Sequence, residues 1–161
     1  MRTNNHKTKN FIVSIYFILV IFAIISAIMF RMFNEISSNP LVVFLIIVLS
    51  FSLLFFAVHS ISKFFEYDSD GMKVVVTNKG LLLSDRFNYR EHTVEFNKTD
   101  LKGFKFNNYV VYNTLVLLIK DKSGTSKKER FNVTLVSKKK RKYIKQSLNK
   151  MIKNNRKLAS S

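Results

Sequence analysis

Residues 11–30 read FIVSIYFILVIFAIISAIMF and residues 41–62 read LVVFLIIVLSFSLLFFAVHSIS, and neither stretch carries a formal charge. Twenty residues at ~1.5 Å rise each cover the ~30 Å hydrocarbon core of a bilayer. Fourteen of the first 20 residues and sixteen of the second 22 are Leu, Ile, Val or Phe. At about −0.3 to −0.6 kcal/mol each near a helix centre, the first segment gains on the order of −4 to −8 kcal/mol on insertion. Both segments therefore read as transmembrane helices. A cleaved leader is the competing reading of the first, because Lys7 and Lys9 precede it. Its apolar run is longer than a leader's, and Ile25-Ser26-Ala27 lacks a small residue at the first cleavage position.

Working outward, residues 31–40 form a short extracytoplasmic loop that forces an antiparallel hairpin, with Asn39 capping the second helix and Pro40 at its first position. Basic residues set the orientation. Residues 1–10 are a basic tail with Arg2, Lys7 and Lys9, the loop offsets Arg31 with Glu35, and Lys63 opens the C-terminal flank. Both termini are expected in the cytoplasm, with the protein integral to the membrane. Ala23 and Ala27 are spaced as a small-xxx-small pair, which can seat the hairpin's own second helix or another copy in a homo-oligomer. His59 lies one turn from the cytoplasmic end of the second helix and reads as an interfacial residue or a functional group in the membrane.

Residues 63–161 hold 23 Lys and Arg against 9 Asp and Glu, a net +14 of the chain's +17. Such a balance suits an anionic partner: a lipid surface, an acidic protein or a nucleic acid. From Phe64 the apolar period becomes two, as in strands with one buried face. MKVVVT (72–77), then Asn78-Lys79-Gly80, then Leu81-Leu82-Leu83 reads as a hairpin with Gly80 in the turn. Val94 and Phe96, then Phe104 and Phe106 around Lys105, point inward. The unbroken run 115–119 suits the centre of a sheet, residues 121–124 turn the chain, and Phe131, Val133 and Leu135 face in. Phe64, Phe65 and Tyr67 are placed at the membrane interface.

Ser137 caps a final helix over about 138–157, with Ile144, Leu148, Met151 and Ile152 as its apolar stripe and ten basic residues with no acid on the rest. The fold class is thus α+β: an antiparallel curved sheet or open barrel of about seven strands closed by an amphipathic helix, after a transmembrane hairpin.

Tyr67-Asp68-Ser69-Asp70-Gly71, Thr77-Asn78-Lys79-Gly80, Phe131-Asn132-Val133-Thr134 and the terminal helix make residues 64–161 resemble the pleckstrin-homology-like domains of bacteria, which are often tethered to small hydrophobic segments. The resemblance implies a pleckstrin-homology-like fold tethered to a bacterial inner membrane by the two apolar segments. It carries no phosphoinositide site, because the loop that is basic in the eukaryotic branch is the acidic Asp68-Ser69-Asp70-Gly71 here.

Catalytic patterns are missing from the sequence. His6, His59 and His92 have no metal-ligand spacing, there is no cysteine, and the four glycines build neither a P-loop nor a nucleophile elbow. Asp68 with Asp70 reads as turn chemistry. No enzyme activity, metal or cofactor is expected. The candidate site is the basic run Lys138, Lys139, Lys140, Arg141 and Lys142, with Lys145 one turn on. Cations at a helix N-terminus oppose the macrodipole, a repulsion that an external anion relieves. Anionic lipid headgroups or an acidic protein are the expected partners. A nucleic acid is the alternative, disfavoured because Tyr143 is the only ring in the helix available for stacking.

Overall fold

The structure is a computed structural model that describes residues 1–33, 39–80, 91–110, 112–121 and 124–159. The fold is α+β, with antiparallel strands in two sheets and three α-helices among the described residues. The chain divides into two units, residues 7–60 and residues 1–6 together with 61–161.

The first unit is a pair of apolar helices, α1 (Thr8–Phe33) and α2 (Pro40–Ile61), each long and apolar enough to cross a membrane. Arg31, expected in the loop, belongs to the last turn of α1, while Glu35 and Ser38 lie outside the described residues. Pro40 opens α2 as expected, with Val42 N–H donating to the Asn39 carbonyl at 3.1 Å. Tyr16 of α1 and Phe55 of α2 meet edge to face, with ring centroids 4.8 Å apart. Hydroxyls inside the helices bond back to their own backbone, Ser14 to the Asn10 carbonyl and Ser50 to that of Ile46. Among the described residues of the two helices only Ile12 and Tyr16 are buried, and most of the apolar side chains are exposed.

The second unit begins at the other end of the sequence from where periodicity places it. Arg2–Asn4 form a strand, β1, within the expected basic tail. It pairs antiparallel with β2 (Lys63–Asp68), which pairs with β3 (Lys73–Gly80), which pairs with β4 (His92–Asn97), giving the order β1-β2-β3-β4. A second sheet, ordered β5-β6-β7, contains β5 (Leu101–Asn108), β6 (Asn113–Lys120) and β7 (Ser126–Asn132). Seven strands occur among the described residues, the unexpected β1 included, and they form two sheets rather than the single curved sheet or open barrel expected. The expected strand 81–83 lies outside the described residues.

Asn78 explains one departure. The turn read at Asn78-Lys79-Gly80 is the end of β3, with Gly80 opposite Lys63. The Asn78 amide accepts from Asn132 N–H at 3.0 Å and donates to the carbonyls of Phe64 at 2.8 Å and Asn132 at 3.1 Å, so one side chain stitches the first sheet to the second. Asn5 acts similarly: it is buried, and its amide accepts from Phe65 N–H and donates to the Lys63 carbonyl, both at 2.9 Å. In both places a short amide satisfies backbone groups that strand pairing leaves open.

The core is filled from both sheets and the final helix by Phe65, Tyr67, Val74, Val76, Leu115, Leu117, Phe131, Val133, Ile144 and Leu148. Phe65 and Tyr67 are thus fully buried and not at a membrane interface, because alternation along β2 turns both inward; only Phe64, under the Lys79 ammonium, stays half-buried. A bulge between Leu101 and Gly103 shifts the alternation of β5 by one. Leu101, Phe104 and Phe106 consequently face Ile119, Leu117 and Leu115 on one side of the sheet. Val136 takes the buried place expected of Leu135, because β7 ends at Asn132 and the chain turns. At the expected 121–124 turn Gly124 N–H donates to the Asp121 carbonyl at 2.8 Å and Gly124 holds φ +82°, a conformation costly for a side chain, while residues 122 and 123 lie outside the described residues.

The last helix, α3 (Lys138–Ala159), is capped as the sequence predicts, with Ser137 Oγ accepting from Lys140 N–H at 3.4 Å. Its stripe of Ile144, Leu148 and Met151 is buried, with Ile152 at the margin. Ser147 bonds the Tyr67 hydroxyl at 3.0 Å; burial raises the Tyr67 phenol above its ordinary pKa, partly offset by Ser147 and Ser69. The Asn155 amide reaches the carbonyls of Lys98 and Leu101 and fixes the far end of the helix.

Candidate anion-binding surface

The basic run occupies the first turns of α3, and the structure splits it in two. Lys138, Lys139 and Lys142 are exposed. Lys140 and Arg141 turn back onto the domain: Lys140 Nζ donates to the Asn4 carbonyl at 2.5 Å, and the Arg141 guanidinium to Asn108 Oδ1 at 3.5 Å. Three of five consecutive cations are therefore presented outward, as helical geometry dictates, since residues 138 to 142 wrap more than one turn.

Lys145 belongs to a different surface. It lines a groove of about 1060 Å³ between α3 and β5. The groove has an apolar floor of Phe104, Phe106 and Ile152 and a rim of Lys102, Lys105, Lys145, Lys153, Arg156 and Lys157. No carboxylate is among the lining residues. Phe104 and Phe106 pack edge to face, 6.0 Å between centroids, because strand alternation puts both on the same face. Lys102 Nζ is held by Ser126 Oγ at 2.7 Å. Sequence reasoning missed the β5 half of this groove. The spacing of Lys145, Ile152, Lys153 and Arg156 marks a second helical stripe, but nothing in it says which strand lies opposite.

Three carboxylates elsewhere in the domain are paired with cations. Glu66 takes Arg2, whose pKa it raises by hydrogen bonding, and Glu95 takes Lys73 in the same way. Glu129 is buried, with His92 Nε2 at 3.0 Å and Lys127 Nζ at 2.7 Å, so it ties β4 of one sheet to β7 of the other. His92, expected in a loop, opens β4, and its ring lies 5.0 Å from that of Phe131. Among the described residues, no three His, Cys, Asp or Glu side chains gather as a metal site would require.

No family model, curated protein or solved structure matches the chain.

Proposed function

We propose that the chain is a non-enzymatic, membrane-anchored module of pleckstrin-homology-like type, resident in a bacterial cytoplasmic membrane, whose basic surface engages anionic lipid headgroups. The pleckstrin-homology-like reading is supported by antiparallel sheets closed by one C-terminal amphipathic helix. The hairpin reading is supported by β1 and β2: the strand before α1 and the strand after α2 are hydrogen-bonded neighbours, so the two ends of the apolar pair must lie on one side of any membrane they cross. The excess of Lys and Arg in those flanks puts that side in the cytoplasm.

The observation that carries the headgroup reading is the outward presentation of Lys138, Lys139 and Lys142 at a helix N-terminus that has no acidic residue in its first turn. Each basic residue near an anionic surface contributes about 1 kcal/mol, fading within a Debye length of ~8 Å. The test uses full-length protein in nanodiscs of neutral lipid, with and without an anionic component. Amide exchange across residues 138–145 should slow in anionic discs, lose that protection at high salt, and be insensitive to lipid charge when the three exposed lysines are Gln. Equal exchange in both discs, with protection by duplex DNA instead, would replace this reading with a membrane-tethered nucleic-acid binder.

The groove favours a second reading, an acidic protein partner. Six cations around an apolar floor suit a segment carrying both carboxylates and apolar side chains. Crosslinking from the groove rim in native membranes tests it: Lys153 and Arg156 should capture such a partner, and a Glu substitution at both should abolish capture.

A further inference from the structure

The β5–β6 hairpin ends in exposed apolar residues that the fold does not use. Tyr109 and Tyr112 are about half exposed, and Val110 is fully exposed at 105%. The two tyrosine rings stack at 4.6 Å between centroids, and Tyr109 N–H donates to the Tyr112 carbonyl at 2.9 Å. Rings held in this way pack against each other rather than against the core. Apolar groups gathered at a loop tip mark an interaction surface more often than singly scattered ones do.

Hydrogen bonds within the domain fix where this tip lies. Asn108, at the foot of the tip, accepts from Arg141 in the basic run. The neighbouring Lys140 donates to the Asn4 carbonyl. Asn5, next in the chain, bonds Lys63 and Phe65. Residues 4–6 lead into α1, and residues 61–63 return from α2. On the other flank, Asn113 N–H donates to Thr134 Oγ1 at 3.0 Å, shortly before the cap of α3. One end of the domain therefore carries both connections to the apolar helices, the exposed lysines and the tyrosine tip. The β2–β3 turn, with Asp68, Asp70 and the 91% exposed Met72, lies at the other end of β2 from Lys63.

We propose that Tyr109, Val110 and Tyr112 form a wedge that enters the interfacial layer of the bilayer in which α1 and α2 are anchored, with the basic run on the headgroups beside it. This rests on the membrane reading above and adds to it a surface that needs no charge. Tyrosine suits that depth, since its ring is apolar and its hydroxyl stays among the headgroups. A single valine buries too little to hold a free protein on a membrane, but this one is tethered by two segments at the same end, so the wedge sets the orientation of the domain rather than its attachment.

The chain contains no tryptophan, so a single introduced one reports its own surroundings. Val110→Trp and Met72→Trp are made in the full-length protein and placed in liposomes with or without acyl-brominated phosphatidylcholine. Both sites are exposed, so neither change disturbs packing. The Val110→Trp emission should be blue-shifted and quenched by brominated lipid several-fold more than that of Met72→Trp. Met72→Trp should instead be quenched by aqueous iodide. Red-shifted Val110→Trp emission that brominated lipid leaves unchanged overturns the wedge, whatever the exchange of residues 138–145 shows. Equal quenching of Val110→Trp in neutral and anionic liposomes keeps the wedge even if the headgroup reading fails.

Discussion

Helices α2 and α3 are both 22 residues long and dispose of their polar groups in opposite ways. In α2 two hydroxyls turn back on the helix, Ser50 to the Ile46 carbonyl and Ser60 to that of Ala57, while leucines and phenylalanines point out. In α3 the apolar residues turn inward, and polar side chains reach other elements: Ser147 to Tyr67, Asn155 to Leu101, Lys140 to Asn4. A helix in hydrocarbon has to satisfy its own polar atoms, since nothing outside accepts or donates. A helix at a protein surface in water has no such constraint, and its polar atoms are free to hold a fold together. The back-bonded hydroxyls of α2 thus suit a helix in hydrocarbon, while the outward-reaching side chains of α3 suit a helix at a wet surface.

One substitution made in both helices breaks or sharpens this contrast, and it carries the largest effect. Leu148 is fully buried under the sheets, whereas Leu49 is 62% exposed in α2. Leu148→Ala removes a core side chain and leaves a cavity, which should cost ~2–5 kcal/mol of domain stability. Leu49→Ala should leave the domain within about 0.5 kcal/mol of the parent, as surface changes do. Hydrogen exchange of the β6 amides in the full-length protein measures both. Equal effects would mean that α2 helps form the core of the β-domain, and the division of labour between the helices would be lost.

The two helices were legible in the sequence for the same reason: each repeats one simple pattern over 20 or more residues. Ser137, Ile144, Leu148 and Met151 are in the roles their spacing assigns, and α1 and α2 occur where charge is absent. What periodicity could not reveal depends on partners far away in the chain. Strand β1 is three residues with no apolar alternation, and it exists because β2, about sixty residues later, offers an open edge. Asn78 looks like a turn residue because asparagine favours turns, yet its amide is spent on bridging Phe64 and Asn132. The candidate site divides similarly. The run of cations at 138–142 is visible to the eye, but which three point outward depends on Asn4 and Asn108, and the groove depends on β5 lying beside α3, which sequence alone does not mark.

Strand β1 also offers the intermediate effect, because it joins the two regions being compared. The segment that enters α1 is held in the domain by the Asn5 amide, which is buried and bonded to both Phe65 N–H and the Lys63 carbonyl. Asn5→Ala strands both backbone groups, and an unsatisfied buried polar group costs about 1–3 kcal/mol. The expected outcome is faster exchange of the β2 amides by the corresponding factor, with α3 protected as before. If exchange in α3 accelerates equally, β1 and α3 belong to one cooperative unit, and the domain cannot be opened from its N-terminal strand alone.

The smallest effect is the most telling about function, because its sign should depend on the lipid. The first turn of α3 carries Lys138, Lys139 and Lys140 at the positive end of the helix dipole, an arrangement that disfavours the helix. In neutral bilayers, Lys138→Glu and Lys139→Glu should each stabilise α3, by about 0.3–1 kcal/mol, read as slower exchange of its first amides. In anionic bilayers the same changes replace attraction, worth about 1 kcal/mol per cation at the surface, with repulsion, and the gain should vanish or reverse. Lys150→Glu, about three turns further along, lies beyond the reach of the terminal dipole and should change little in neutral lipid. Stabilisation of equal size in both lipids would show that the basic run is a solvated face with no anionic surface against it. Inversion of sign would show that the helix tolerates its unfavourable first turn because the membrane supplies the missing negative charge.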